Sequence, residues 1–463
     1  ENHQKKRQST FLLLRKISPT KISIPLSLLS VIVLAISPWH VVFGRTNFEC
    51  NVALFFFLSG VYFFYKGLEK PGWLLLSAAM FAIAIPSYHT QRIVTPAILL
   101  IFFFRYKDRL FKKGTRRFIL PAVIIGILIS IPTVSVMFTP GFLARAAGLN
   151  IFSHSRQMPA GFIEDYQGPL EQVVNGSWFI STWEFASLYA SYFSPRNMFI
   201  LGDSGFRDSY PEIATFFIWQ FPFYLYGLFI LLKNKNLGEL RFFVVALLLV
   251  SPIPGALTRD PYSTIRSLPL VVPQLIIISL GMLGFWHSIS NYKRYAYILK
   301  TGTISALIII IIYSVAKLYS SAVILNEHFR GFYWDYGWEE VVKVINSEFD
   351  PNLPVIVDNT RFEPYSQIAF FLKYSPSKYQ KENFEVPLLE YYTNMQRNRT
   401  KVIGNITTRA IFWEEDLLNE KYLIGDGLAI SQQQIKEHDL TLVHEVFYPD
   451  GSIAYRIVKT AGK

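Results

Sequence analysis

The feature that most constrains this chain of 463 residues is a series of long apolar blocks, separated by short polar segments, that ends near residue 324. Each block approaches the ~20 residues that cross the hydrocarbon core of a bilayer as a helix. Inside a bilayer every backbone polar group must be satisfied within the segment, so we predict helices. The sequence therefore predicts a polytopic α-helical membrane protein with about nine spans. The blocks are 22–43, 52–68, 72–88, 93–104, 118–138, 212–232, 242–257, 268–286 and 301–324.

A change in charge near residue 325 predicts two domains. Residues 1–325 carry 30 Lys and Arg against 13 Asp and Glu, whereas acidic residues outnumber basic ones in 326–463. We predict a transmembrane domain over 1–325, with a long outer loop at 139–211, and an extracytoplasmic α/β domain over 326–463. The second domain is long enough to bury its own core.

The C-terminal segment alternates helix-like and strand-like pieces. Polar and turn-forming residues separate these pieces, as in a small α/β domain. The predicted elements are a helix near 338–346, a strand at 354–357, a helix at 365–373, a strand at 422–424, a helix capped by Ser431 and a hairpin over 443–458.

The basic residues between the spans predict the orientation. If the chain starts inside, the cytoplasmic segments 1–21, 66–71, 105–117, 233–241 and 287–300 hold 21 basic residues, of which 13 are lysines. The opposite face then carries eight arginines and no lysine. This distribution follows the positive-inside rule and predicts an integral protein of the plasma membrane. Because these charges orient the spans, they argue against binding of nucleic acid.

The positive-inside rule also distinguishes two interpretations of residues 72–104. A single long span would place the basic cluster around Lys112 outside, whereas a hairpin with its tip at 87–92 keeps that cluster in the cytoplasm. We therefore predict a hairpin. Its short second limb, 93–104, contains Pro96 and suggests a helix that lines a water-filled recess.

The outer ends of the predicted spans carry an unusual set of arginines. The first block closes with the sequence SPWHVVFGRTNFE, and Arg45, Arg92, Arg259 and Arg266 each lie near a helix end on the outer face. Arginine stays charged and holds phosphate in two-point geometry. Since ionisable groups at membrane depth are costly and usually mark a site, we expect these arginines to converge on a phosphate at the lipid–water boundary.

Ordinary structural roles remain open for several of these residues. His40 and His89 could make polar contacts only, and Glu49 could simply form an ion pair with Arg45. Arg259 and Asp260 could form a local salt bridge, which is worth little at a surface. Other neighbours have equally ordinary interpretations: Trp39 as an interfacial anchor, the aromatic residues between 178 and 193 as an interfacial helix, and Asp203, Arg207 and Asp208 as solvated loop residues or as the mouth of the site.

Five segments resemble a known family. In chain order they are AISPWHVVFGRTNFECNVALFFFLSGVYFF, SYHTQRIVTP, FSPRNMFILGDSGFRDSYPE, SPIPGALTRDPYSTIRSLPLVVP and FRGFYWDYGWEEVVKVI. Together they resemble prokaryotic members of the dolichyl-phosphate-mannose protein mannosyltransferase-like group, within the GT-C membrane glycosyltransferases. The resemblance extends from about Ile22 to Tyr379 and depends on the order of the motifs.

This resemblance implies an enzyme that takes a sugar from a polyprenyl-phosphate carrier and transfers it to an acceptor hydroxyl outside the cytoplasm. The reaction would be an inverting displacement with a carboxylate base, in which arginines stabilise the departing phosphate. The acceptor could be a glycan, a lipid or a protein, and a divalent metal ion stays open. The residues expected to bind substrate are His40, Arg45, Tyr88, His89, Arg92, Asp203, Arg259, Asp260 and Arg266.

The resemblance also implies a missing part. In relatives the catalytic carboxylate lies in an outer loop that precedes the equivalent of Ile22. We therefore expect the chain to be N-terminally incomplete and its principal catalytic Asp to lie upstream. Glu49 follows the helix-ending Arg45, and the resemblance gives it a supporting role in the donor or metal site.

Two other functions are compatible with the sequence. A transporter or flippase of lipid-linked saccharides would use a similar cavity, although such proteins more often contain inverted repeats and charges near the midplane. A non-catalytic envelope assembly protein would use the aromatic residues that open the C-terminal domain to contact a polymer or a partner. These aromatic residues are Phe329, Phe332, Tyr333, Trp334, Tyr336 and Trp338.

Overall fold

A computed structural model describes residues 2–46, 48–137, 151–152, 177–290, 296–383 and 400–462. The chain forms two compact units, Glu1–Ala322 and Val323–Lys463. The first unit is helical, and the second contains the only sheet among the described residues. The architecture confirms the predicted fold class of an α-helical membrane protein with a small C-terminal α/β domain.

The first unit consists of helices joined by short connections. The segments at 202–217 and 258–270, which were predicted to lie on the outer face, are mostly irregular, and we call them the outer segments. The helices are α1 (Asn2–Ile17), α2 (Thr20–Ile36), α3 (Pro38–Arg45), α4 (Glu49–Gly67), α5 (Trp73–Ser87), α6 (Gln91–Leu110), α7 (Arg116–Met137), α8 (Ser177–Ser191), α9 (Phe221–Lys233), α10 (Gly238–Val250), α11 (Ile253–Leu257), α12 (Val271–Ser290) and α13 (Ala296–Tyr319).

Five helical segments of the described residues are long and apolar enough to cross a membrane. The helices α2 and α3 qualify together as a sixth, although they meet at an angle of 62°. The count of nine spans stays a prediction. The five segments are Glu49–Gly67, Arg116–Val136, Lys235–Leu257, Leu268–Ser290 and Tyr297–Arg330, and shorter apolar helices cover Trp73–Ser87 and Ile218–Lys233.

The N-terminal part differs from the sequence prediction in two details. Block 22–43 is not one straight span, because the helix stops before Ser37 and Pro38 begins α3 in a new direction. Proline is well suited to the first turn of a helix, where its missing N–H leaves no bond unmade. Residues 1–21, which were predicted as a cytoplasmic segment, contain the helix α1, whose Leu13 and Leu14 are fully buried.

The hairpin predicted over 72–104 is confirmed. Helices α5 and α6 are its limbs, and residues 88–90 connect them. The second limb is longer than predicted and reaches Leu110, because the charged residues of its last turn continue the helix. The hairpin places Tyr88, His89 and Thr90 at one end of the bundle.

A close helix pair forms much of the core. Helices α9 and α12 approach so tightly at Gly227 and Gly281 that a Cβ on either glycine would lie 1.8 Å from a carbonyl oxygen of the other helix. Small residues permit such approach in membrane helices. We infer that this pair is a rigid support for the outer segments that flank it.

The second unit contains a six-stranded sheet in the order β2-β3-β1-β4-β6-β5. The three central strands β3, β1 and β4 are parallel, and the remaining pairs are antiparallel. The strands are β1 (Val355–Val357), β2 (Lys401–Ile403), β3 (Ile406–Thr408), β4 (Tyr422–Gly425), β5 (Thr441–Phe447) and β6 (Ile453–Lys459).

Helices pack against this sheet. A hydrophobic core that includes Trp338 and Tyr455 fills the space between the helices and the sheet. The predicted helix at 338–346, strand at 354–357, helix at 365–373 and hairpin over 443–458 are confirmed, as is the cap at Ser431. Strands β2 and β3 were not predicted. The helices are α14 (Asn326–Arg330), α15 (Trp338–Glu348), α16 (Tyr365–Phe371), α17 (Pro376–Asn383), α18 (Trp413–Asp416) and α19 (Gln432–Glu437).

Candidate functional site

Helix α3 is fastened to both outer segments. The Ser37 hydroxyl and the Trp39 backbone N–H donate to the Thr215 carbonyl over 3.2 and 3.4 Å, and the Trp39 indole N–H donates to the Thr264 carbonyl over 3.1 Å. Trp39 is therefore buried and connects α3 to both segments, whereas the sequence analysis considered it only as an interfacial anchor. The bend at Ser37 brings α3 against segments 202–217 and 258–270.

A small hollow of about 10 Å³, roughly the space of one water molecule, lies between α3 and the segment 202–217. Acidic and aromatic side chains face it from the segment, while α3 supplies its apolar wall. The residues lining it are Pro38, Trp39, Val42, Gly202, Asp203, Asp208, Ser209, Tyr210, Ile213, Ala214 and Thr215. We call it the outer hollow.

Asp203 ties the two outer segments together. One carboxylate oxygen accepts from the backbone N–H and the hydroxyl of Thr264, both at 2.6 Å, and the other accepts from the Gly205 N–H at 2.7 Å. Burial raises the pKa of Asp203, and these three hydrogen bonds oppose that shift. We infer that Asp203 holds the loop in shape, because its oxygens are already engaged by the protein.

Asp208 is a second acidic group of the outer hollow, and it is half-buried. Burial and the charges of Asp203 and Asp260 raise its pKa to about 7, against the opposing effect of Arg266 and Arg207. A carboxyl group with such a pKa changes charge near neutrality. Perturbed groups of this kind concentrate at functional sites.

Arg266 is one of two arginines whose charge acts on Asp208, the other being Arg207. The Arg266 guanidinium donates to the Thr258 hydroxyl over 2.9 Å and forms an ion pair with Asp260 at 3.4 Å. Its charge also acts on Tyr88, Asp208 and Tyr192. Arg266 is half-buried, so its charge is only partly screened by solvent.

The α5–α6 turn completes this cluster. The Thr90 hydroxyl donates to the Arg266 carbonyl over 3.1 Å. Tyr88 is buried, which raises its pKa, and the charges of Arg266, Asp208 and Glu49 all act on it. The exposed His89 ring lies against Tyr88 with the centroids 4.1 Å apart. The hairpin therefore brings Tyr88, His89, Glu49, Asp208 and Arg266 into one neighbourhood.

Arg45 reaches the outer hollow through Tyr210. It donates to the Ala322 carbonyl over 2.8 Å, and its charge also acts on Tyr210, which lines the hollow. Its position on the last residue of α3 confirms the sequence expectation that it ends a helix. Arg45 and Arg266 thus border the hollow through Tyr210 and Asp208, respectively.

The expected convergence of four arginines is only partly found. Arg259 pairs with Glu184 of α8 at 3.7 Å and donates to the Ile151 carbonyl over 3.3 Å. Its ion-pair partner is therefore Glu184, and Asp260 pairs with Arg266. Arg92 is the second residue of α6 and is half-buried.

His40 lies on α3 and is buried almost completely, with 1% of its surface exposed. It is therefore remote from solvent, unlike His89. Among the described residues no group of three or more His, Cys, Asp or Glu side chains is arranged to hold a metal ion. The divalent ion left open by the resemblance thus has no assigned ligands in this part of the chain.

The sequence analysis considered Asp208 as a solvated loop residue or as the mouth of the site, whereas it did not identify Tyr210. Both follow or end the stretch GDSGFRD, in which polar residues alternate with glycine between two apolar helices. That pattern indicates a folded polar loop at a membrane surface, but the hollow itself depends on the distant Trp39 and Thr264. Parts of the outer loop, including the stretch SHSRQMPAG, lie outside the described residues.

Comparisons with known proteins agree with this architecture. Residues 10–136 match the family model of dolichyl-phosphate-mannose-protein mannosyltransferases. The structure of ArnT from Cupriavidus metallidurans bound to undecaprenyl phosphate has 11% identity and a TM-score of 0.50 over 99% of this chain and 82% of that chain. The chain has an ArnT-like membrane fold. No curated protein matches the sequence.

These findings confirm the resemblance to GT-C glycosyltransferases as a family-model match and a shared fold. The matched segment contains α2 to α6 and therefore Arg45, Glu49 and Tyr88. Asp208 and Arg266 lie beyond it, in the part where the similarity is structural.

Proposed function

We propose that this chain is a membrane glycosyltransferase that takes a sugar from a polyprenyl-phosphate carrier and passes it to an extracytoplasmic acceptor hydroxyl. The single observation that carries the proposal is the cluster of Arg266, Tyr88, Glu49 and Asp208 beside the outer hollow. The family-model match and the ArnT-like fold support it, because that neighbour's structure holds undecaprenyl phosphate.

In this proposal Arg266 and Arg45 bind the carrier phosphate. As the glycosidic bond breaks, negative charge grows on the departing phosphate, and fixed guanidinium groups stabilise it more than they stabilise the starting ester. Thr258 and Asp260 hold Arg266 in place, so little reorganisation is needed during the reaction. Tyr88 is a neutral phenol that can donate a hydrogen bond to the same phosphate.

Asp208 has a defined part in the binding step. An ionised carboxylate beside the phosphate would repel it, whereas a protonated Asp208 removes that repulsion and adds a donor. Its raised pKa keeps a large fraction protonated near pH 7. Asp203 acts through the loop, and Arg259 through its contacts with α8.

The lipid tail of the carrier would occupy the membrane part of the unit. An apolar cavity of about 450 Å³ lies between α4, α5, α6 and α7. Its wall includes Ile85 in the last turn of α5, and Tyr88 directly follows that helix. The cavity therefore extends from the helix interior toward the cluster, as a lipid tail joined to a bound headgroup requires. Representative lining residues are Leu74, Phe81, Leu99, Ile127 and Val134.

The remaining features of the proposal follow the resemblance. We propose an inverting displacement with a carboxylate as general base, and a supporting role for Glu49. We also propose the plasma membrane as the location, with the outer hollow on the extracytoplasmic side, where the positive-inside rule places it.

The test compares matched arginine variants of the full-length protein in proteoliposomes supplied with a radiolabelled polyprenyl-phosphate sugar. We expect Arg266→Ala to lower the rate of sugar release or transfer by about 100- to 1000-fold, and Arg45→Ala to lower it less. Arg196→Ala is the control, since this exposed arginine also lies in the outer loop and precedes the Asn197–Leu201 turn.

Retained folding is checked by the elution profile and the melting temperature of each variant. Wild-type turnover in both Arg266→Ala and Arg45→Ala would refute the site. Translocation of the intact donor without any cleavage of its glycosidic bond would refute the transferase and support the flippase. The anomeric configuration of the product, read by NMR, tests inversion.

A further inference from the structure

The connection between α6 and α7 carries a dense positive charge. Residues 105–117, which we call the basic turn, contain seven Lys and Arg and a single acidic residue, Asp108. All seven basic side chains are exposed. The positive-inside rule explains on which side of a membrane such residues lie, but it does not explain which group neutralises them.

Other cations at this end of the membrane unit have partners within the protein. Lys16 forms an ion pair with Glu69, and the Lys66 ammonium lies over the Trp73 ring, 4.0 Å from its centroid. In contrast, no carboxylate of the described residues forms an ion pair with a basic side chain of residues 107–117. The charges of the basic turn are therefore available to a ligand.

The two helix ends of the basic turn differ in how they suit these charges. Lys107 and Arg109 lie in the last turn of α6, where the helix dipole favours cations. Arg116 and Arg117 begin α7, whose first turn contains no acidic residue, although a helix N-terminus favours negative charge. An anion at the start of α7 would therefore be stabilised by both the helix dipole and the two arginines.

An exposed aromatic patch adjoins the basic turn. It consists of Phe103, Phe104 and Phe111, which are 43%, 64% and 57% exposed. The Phe103 ring centroid lies 5.6 Å from that of Phe104 and 6.1 Å from that of Phe111. Lys107 follows Phe103 by four residues and therefore lies on the same face of α6. This surface thus presents positive charge and apolar rings side by side.

We propose that the basic turn and the aromatic patch together bind an acidic phospholipid of the surrounding membrane. The headgroup phosphate would accept hydrogen bonds from Lys112, Lys113 and Arg116, and the acyl chains would lie along the exposed phenylalanine rings. Clusters of basic residues directly beside a membrane span are the composition expected of such a lipid site. A soluble anion fits less well, because it would leave the aromatic patch uncovered.

This site is independent of the proposed transfer reaction. In the orientation proposed above, the basic turn faces the cytoplasmic leaflet, whereas the outer hollow lies on the opposite side. The lipid would therefore be a bound component of the membrane and not the sugar donor.

The test measures lipid binding by the full chain in detergent micelles, with native mass spectrometry as the readout. Dioleoyl phosphatidylglycerol and dioleoyl phosphatidylcholine are titrated separately, since they share acyl chains and only the first carries a net charge. We expect phosphatidylglycerol to bind more tightly. Joint Lys112→Gln and Lys113→Gln should weaken its binding about tenfold, which is ~1.4 kcal/mol, and should hardly change the binding of phosphatidylcholine.

The aromatic patch is tested by a different pattern of loss. Phe111→Ser should weaken both lipids by about two- to fivefold, because contact with an acyl chain does not depend on the headgroup. Higher salt should weaken phosphatidylglycerol only, since salt screens exposed charges. Because all three substituted side chains are exposed, we expect the melting temperatures of the variants to match that of the wild type.

Joint Lys233→Gln and Lys235→Gln is the matched control. It removes two exposed lysines from the connection between α9 and α10, and it should leave phosphatidylglycerol binding unchanged. Arg266→Ala should also leave it unchanged, which separates this site from the outer hollow. The proposal is overturned if phosphatidylcholine binds as tightly as phosphatidylglycerol, if the control pair weakens binding as much as the Lys112 and Lys113 pair, or if inorganic phosphate displaces the lipid.

Discussion

The two units use arginine and aspartate in opposite ways. In the C-terminal unit, burial alone would raise the pKa of Asp416, but hydrogen bonds from Arg409, Lys421 and the Phe412 N–H lower it below the usual value. In the membrane unit, burial raises the pKa of Asp208 to about 7, and Arg266 does not compensate. The first arrangement is a satisfied network, and the second leaves a charge that the protein does not fully stabilise.

This difference shows which of the two acidic groups contributes to the stability of the folded protein and which does not. A fully paired buried carboxylate stabilises only the folded form, while an acidic group with a pKa near neutrality is suited to exchanging protons with a ligand. The comparison therefore favours the outer hollow as a working site, and it assigns the Asp416 network to folding. We predict the effects of four substitutions on stability, and each of them tests this contrast between the two units.

The largest effect is expected for Asp416→Ala. The fully buried Asp416 side chain contacts both Arg409 and Lys421, so its loss leaves two cations without their shared partner. Breaking a buried ion pair from one side typically costs about 3–5 kcal/mol of unfolding free energy. Pulse proteolysis of the full chain, following cleavage within residues 323–463, measures it. A loss below about 1 kcal/mol would contradict the assignment of this network to folding.

The second effect is a dependence on pH in the membrane unit. The folded pKa of Asp208, about 7, lies above the ordinary value of about 3.9, so the folded protein holds this proton more tightly than the unfolded chain. That stabilisation is fully present below about pH 4 and is lost as the pH rises through 7. Asp208→Asn should therefore stabilise the unit at pH 8, by on the order of 2–4 kcal/mol, and hardly at pH 4.

Melting temperatures of the wild type and Asp208→Asn at both pH values measure this difference. Arg207→Gln is a useful control, because it removes an exposed neighbouring charge that lowers the pKa of Asp208 and should shift the transition to higher pH. A stabilisation of Asp208→Asn that is equal at pH 4 and pH 8 would show that the effect is not titration.

The third effect concerns the tie between the outer segments. Thr264→Val keeps the shape of the side chain and the backbone bond to Asp203 but removes the hydroxyl that donates at 2.6 Å. We expect a loss of about 1–2 kcal/mol, since the bond is charge-assisted and buried. A denaturant titration measures it, and Thr182→Val, with an exposed hydroxyl bonded only within α8, is the control. An equal loss in both variants would contradict the role of Asp203 as a tie.

Elements governed by local pattern and charge parity could be predicted from the sequence. The hairpin over 72–104 followed from the basic cluster near Lys112, and the cap at Ser431 followed from its position before a polar helix. Helix α1 was missed because its charged residues hide a short apolar face that includes Leu13. Strands β2 and β3 were missed because three residues are too few to show alternation.

The site was less accessible to the sequence, because its geometry depends on distant partners. Arg259 adopts a left-handed backbone conformation with φ at 57°, and it meets Glu184, which lies 75 positions earlier. Neither fact is visible in the stretch LTRDPYSTIR. The importance of Asp208 likewise depends on burial by α3 and on the nearby Asp203 and Asp260. The sequence patterns identified candidate site residues, but tertiary packing determines which of them contact each other.

The smallest effect is expected for Glu339→Ala in the C-terminal unit. Glu339 and Lys343 form a salt bridge of 2.7 Å on the exposed face of α15, with more than half of each side chain in solvent. Such pairs contribute little because water already solvates both ions and salt screens them. Pulse proteolysis should find no measurable change, in contrast to Asp416→Ala in the same unit. A loss comparable to that of Asp416→Ala would mean that burial does not distinguish the two pairs.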